Sequence, residues 1–217
     1  MAMDFTATAR RLGIHSAIVV STLLVAYAVT LAVGLASLSS PDEPIGNPAF
    51  SILEVLIIAM MPAMVTLMVA IHAWAPAPAK TLSLTALVFM SLVAGITCSV
   101  HVVILTMSQQ SASAQMETMV RLLSFEWPSV VYALDILAWD FFFALSMLFA
   151  APVFRGDGVA RWIRPVMTIS GALALAGLSG AATGDMRLRN IGIVGYVPVF
   201  FVVTVLLTVL FVRSSPR

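Results

Sequence analysis

Six stretches of this chain are each long and apolar enough to cross a lipid bilayer, and that property leaves few folds open to it. A hydrocarbon core of about 30 Å takes roughly 20 helical residues at 1.5 Å each. The runs at 12–38, 50–74, 82–107, 129–154, 162–183 and 191–212 meet that length. Hydrocarbon offers no water to the backbone, so each run must satisfy its own hydrogen bonds as a helix. The expectation is one all-α domain over 1–217, a polytopic bundle of six transmembrane helices in contact with the lipid bilayer. Only 10% of the residues are charged, against about 25% in soluble domains. A net charge of +1 with no basic stripe speaks against a nucleic-acid partner.

Basic residues choose the orientation. Arg10, Arg11, Lys80, Arg155, Arg161, Arg164, Arg213 and Arg217 fall on one side, and only Arg121, Arg187 and Arg189 on the other. Eight against three makes the richer side cytoplasmic, with both termini there and the protein multi-pass in a cell membrane. Trp74, Trp127 and Trp162 sit at helix ends, where interfacial aromatic residues belong. The Arg10-Arg11 pair before an apolar run looks like a signal peptide, but the run is about twice the usual signal core. It is expected to stay as the first helix.

Two segments invite finer readings. In 108–128, Met116, Met119, Val120, Leu123 and Trp127 recur at helical spacing, with Gln115, Glu117 and Arg121 between them. A short amphipathic helix on the outer surface fits that pattern, as a connector or as a lid. In the fifth helix, Gly171, Gly177, Gly180 and Gly184 allow a close neighbour, and a homo-oligomer through this face is one expectation. Pro62 and Pro198 should kink the second and sixth helices.

An ionisable side chain at membrane depth is a functional candidate by default. Glu54 lies about one turn inside the outer surface, His101 and Asp135 roughly 9 Å in, and Asp140 about 16 Å in, near the midplane. Asp185 stands at the outer end of the fifth helix, before Arg187 and Arg189. Glu54, His101, Asp135 and Asp185 come from four different helices and cluster near one surface. On a regular helix Asp135 and Asp140 point some 140° apart. That separation assigns Asp135, with Trp139 beside it, to a cavity and Asp140 to an interhelical hydrogen bond. Plainer roles exist for each: Glu54 reaching up to the interface, Asp185 paired with Arg187 or Arg189, and His101 bonded to a carbonyl. His15, His72 and His101 form no i,i+3 or i,i+4 pair, so no metal or haem site is expected. Nucleotide-binding glycine loops and nucleophile elbows are missing from the sequence, and no cofactor is implied.

Acid catalysis on a lipid-soluble small molecule suits what remains. A carboxylic acid in an apolar pocket keeps its proton more readily, because desolvation disfavours the anion. Glu54 with Asp135 or Asp185 could protonate an alkene or epoxide. Trp139, Tyr132, Tyr196 and Phe142, within the Phe141-Phe142-Phe143 run, would stabilise the carbocation by their ring faces. In size, in its all-helical plan, and in an acid early in the second helix (Glu54) and another in Thr183-Gly184-Asp185, the chain resembles the membrane-bound terpene cyclases of meroterpenoid and indole-sesquiterpenoid pathways. That resemblance implies cyclisation of a linear prenylated substrate, with Glu54 and Asp185 as the acid pair and Asp135 and His101 in support. The stretch 133–154 also looks like that of small bacterial six-helix membrane proteins. Two other classes stay open: a small proton- or ion-coupled transporter or channel, which uses intramembrane carboxylates equally well, and a non-catalytic scaffold subunit whose polar groups are glue between helices.

Overall fold

A computed structural model describes residues 5–40, 43, 45–107 and 122–216. Among them it contains helices only, and six of these are long and apolar enough to cross a membrane. They are α1 (Ala7–Ala36), α2 (Ala49–Trp74), α3 (Lys80–Met107, entered through the single 3-10 turn Ala77–Ala79), α4 (Val130–Val153), α5 (Ala160–Thr183) and α6 (Asn190–Arg213). Each starts within a few residues of the expected position. The largest difference is at α1, where the Thr6 hydroxyl accepts the Ala9 N–H at 3.1 Å and so caps the helix earlier.

Helices adjacent in sequence pack as neighbours, and α6 returns against α1, which closes the six into a ring. α4 lies furthest inside, with 61% of its most apolar stretch buried against 17–39% in the others. One of its acids, Asp140, is fully buried. On the outside, Val29, Val33, Leu35 and Trp162 are all more than half exposed, an apolar surface of the kind that bilayer contact requires.

Cationic side chains at the end of the bundle that carries both termini close helix C-termini. Arg10 donates from Nε to the Phe211 carbonyl at 3.0 Å and from Nη2 to that of Val212 at 2.7 Å. Lys80 Nζ donates to the carbonyls of His72 and Ala73 at 2.5 and 3.1 Å. The last carbonyls of a helix lack partners of their own, and a cation there also meets the negative end of the helix dipole.

Two glycines of α5, and the one that ends it, are used inside the chain. A Cβ on Gly171 would stand 2.9 Å from the Ala144 carbonyl of α4, and one on Gly180 would stand 2.9 Å from the Arg189 nitrogen ahead of α6. Gly184 ends α5 in the left-handed conformation, φ +75°, which a residue without Cβ adopts at little cost. α4 and the start of α6 thus occupy the close contacts at Gly171 and Gly180 within the chain itself. The amphipathic pattern at 108–128 lies largely outside the described residues, Met116, Met119 and Val120 included. Its far end is described, and from Leu123 to Pro128 it runs as turns and bends, not as a helix.

Two π-helical turns interrupt the regular ladder, Leu137–Phe143 in α4 and Gly195–Val199 in α6. The second contains Pro198, which has no N–H to give the ladder.

Candidate functional site

Five ionisable side chains, from three helices and the turn before α6, meet near the end of the bundle opposite the termini. Glu54 comes from α2, His101 from α3, Asp135 and Asp140 from α4, and Arg189 from the position before α6. All are 5% exposed or less. His101 Nδ1 lies 2.6 Å from Glu54 Oε2, and its Nε2 lies 3.6 Å from Asp135 Oδ1. Arg189 then donates from Nη2 to Asp135 Oδ2 at 2.5 Å and from Nε to Asp140 Oδ2 at 3.1 Å. The result is one chain, Glu54–His101–Asp135–Arg189–Asp140, with the guanidinium also 4.6 Å over the Tyr132 ring.

The π turn explains how both aspartates reach one arginine. With i→i+5 bonding a turn takes roughly 4.4 residues, so five residues come much closer to a full revolution than on an α-helix. Winding Leu137–Phe143 in this way swings Asp140 towards the face that carries Asp135. Regular spacing would have left the two carboxyls on separate faces.

Asp140 is the end of the chain and is fully buried. Its Oδ2 takes the Arg189 bond, while Oδ1 has no hydrogen-bond partner. That oxygen is wedged between Gly177 of α5 and Gly192 of α6, where a Cβ on either glycine would collide with it. Three helices therefore meet at this carboxylate, and the two glycines make room for it. Gly192→Ala should destabilise the fold by about 1–3 kcal/mol through overpacking, read as a lower melting temperature in detergent. An unchanged melt would mean that the Asp140 seat is not a close-packed contact.

Beside the chain of charges lies a cavity of about 630 Å³. Glu54, His101, Asp135 and Arg189 form its polar wall. Tyr27, Phe50, Trp139 and Tyr196 supply rings, and Ile57, Met60 and Ile193 belong to the aliphatic remainder. Trp139 and Tyr196 meet with centroids 5.2 Å apart. The segment Leu123–Glu126 covers the cavity from the loop, its Phe125 ring 6.0 Å from His101 and 5.1 Å from Tyr132. Ser129 ties this cover to α4, donating to the Ser124 carbonyl at 2.6 Å and accepting the Tyr132 N–H at 3.0 Å. Its volume falls in the range usual for small-molecule pockets, and its lining is mostly apolar.

Several residues expected at the site lie elsewhere. Asp185 is exposed in the turn after α5, where its Oδ1 accepts the Arg187 N–H at 3.0 Å. It does not line the cavity, so the pairing of Glu54 with Asp185 is replaced by Glu54 with His101 and Asp135. The reason is the short turn Gly184–Arg189, which holds Asp185 outside and sends Arg189 in. Phe142 stacks on Phe89 of α3 at 6.0 Å and is not a cavity residue. Tyr132 lies under Arg189, one layer behind the cavity wall. Among the described residues no group of three His, Cys, Asp or Glu side chains could hold a metal ion. Away from the linked charges, His15 is exposed, and His72 bonds Ser83 Oγ at 2.8 Å.

Sequence reasoning missed Arg189, Tyr27 and Phe125. Arg189 had a partial signal: two aspartates on α4 need a cation, and α4 has none of its own. Nothing in the spacing separates Arg189 from Arg187, however. No family model, no curated protein and no solved structure matches this chain. The fold and site together define a multi-pass helical membrane protein whose apolar cavity has one buried, charged wall.

Proposed function

We propose that the protein is a membrane-embedded terpene cyclase of the cell membrane, acting by acid catalysis on a linear prenylated indole or phenol. The observation that supports this most is the meeting of Glu54 and Asp135, bridged by His101, on the wall of a cavity otherwise lined by rings and aliphatic groups. Glu54 gives its proton to a terminal alkene or epoxide. The new C–H or O–H bond leaves a carbocation, which the chain's next double bond attacks. Trp139, Tyr196 and Phe50 stabilise the travelling positive charge by their faces. Loss of a proton to a carboxylate of the wall ends the sequence, so product and substrate have equal mass. His101 touches both acids and can return the proton from Asp135 to Glu54. Arg189 holds Asp135 in place.

Transport is less well supported by the same geometry. Towards the inner half, two buried hydroxyls are spent on the backbone: Ser146 donates to the Ala86 carbonyl at 2.9 Å and Ser170 to that of Gly195 at 2.8 Å. Neither extends the chain of charges across the bilayer.

Membranes containing the protein, incubated with prenylated indoles and farnesylated phenols and their epoxides, should yield an isomer of unchanged mass but new retention time. Absence of any isomer across that panel, with folded protein confirmed, would count against cyclisation.

A further inference from the structure

The charges of the cavity wall, taken with Asp140 bonded to Arg189 behind it, do not balance. With Glu54, Asp135 and Asp140 ionised and His101 neutral, the chain carries three negative charges and the one positive charge of Arg189, or −2. Protonating His101 brings it only to −1. The other polar residues lining the cavity among those described are Tyr27, Tyr196, Ser124 and Glu126, the last exposed in the cover and adding a further negative charge. Among the described residues its lining contains no lysine and no second arginine. A buried excess of negative charge is costly, and only protons or a bound cation relieve it.

A second observation concerns His101. The ring is 1% exposed, lines the cavity, and its Nε2 has no hydrogen-bond partner. That nitrogen is enclosed and faces Asp135 Oδ1 at 3.6 Å, so the ring bridges both acids of the wall. A third is the set of rings. Tyr27, Phe50, Trp139 and Tyr196 come from α1, α2, α4 and α6 and surround the volume next to the acids. Ring faces attract cations, most strongly where water is excluded.

We infer that this cavity is a binding site for lipophilic organic cations, in which the Glu54–His101–Asp135 wall neutralises the positive head and the surrounding rings hold its apolar groups. Anionic amphiphiles and prenyl diphosphates are disfavoured by the same charge count. The site is the one assigned above to cyclisation, but cation binding requires no turnover.

Tetraphenylphosphonium and tetraphenylborate share a shape and differ in sign, which makes them suitable probes. Equilibrium dialysis of the purified full-length protein in a neutral detergent should show saturable binding of the cation and at least roughly tenfold weaker binding of the anion. Glu54→Gln, which keeps the shape of the side chain, and Trp139→Leu should each weaken cation binding by roughly tenfold. Asp185→Asn removes an acid outside the cavity and should leave it unchanged. Equal binding of both ions, or cation binding unaffected by both Glu54→Gln and Trp139→Leu in folded protein, would overturn the inference. The prenylated panel run on the same preparation separates the two readings. Saturable cation binding without product supports the cation site and removes the cyclase, and product without cation binding does the reverse.

Discussion

Arg189→Met should lower the unfolding free energy by about 3–5 kcal/mol, the usual consequence of removing one partner from a buried ion pair. Two carboxylates lose their cation at once, and both belong to α4, the most enclosed helix. Asp140 has no substitute, because its other oxygen already lacks a partner and both neighbouring glycines offer only backbone. Arg189→Lys should recover part of the loss. An ammonium group is a single point, whereas Nε and Nη2 of the guanidinium reach separate carboxylates. Arg187, exposed in the same turn, provides the comparison, since Arg187→Met should stay within about 0.5 kcal/mol of the parent. Thermal unfolding in detergent micelles checks all three. If Arg189→Met melts with the parent protein, the chain of charges does not hold α4 to α6.

The second large effect concerns turnover. Glu54→Gln should reduce product formation by about 10²–10⁴, the span usually carried by a positioned acid. The amide has the size of the carboxyl group and can still bond His101 Nδ1, so the melting temperature should move little. Loss of rate with folding retained would mark Glu54 as the proton donor. Asp185→Asn should leave the rate unchanged, since that carboxyl sits in an exposed turn. The reverse pattern, with Asp185→Asn inactive and Glu54→Gln active, would sink the roles assigned to the cavity wall.

What could be read from the chain in advance follows from what spacing measures. Run length and the sidedness of arginine determined the helices and their order, because hydrocarbon demands internal backbone bonding whatever the neighbours are. Axial depth was equally legible. Glu54, His101 and Asp135 were placed near one surface by counting 1.5 Å per residue, and they touch in the bundle. Direction around the helix axis was legible only where the winding is regular. The π turn at Leu137–Phe143 moves Asp140 towards the side of Asp135, and no residue in that run announces it.

Partner choice was not legible at all. Asp185 and Arg189 stand four residues apart in one turn, and by sequence either could have entered the bundle. The tertiary structure admits Arg189, because two buried aspartates of α4 compensate its charge, and leaves Asp185 outside bonded to its own turn. Likewise the glycines of α5 advertised a close contact without naming it. One of them, Gly177, together with Gly192 of α6, makes room for the Asp140 carboxylate. Solvation alone determined that this sequence becomes six helices in a membrane. Which charges meet, and around what cavity, was decided by how those helices pack, since Coulomb attraction and steric fit act between residues that sequence distance does not relate.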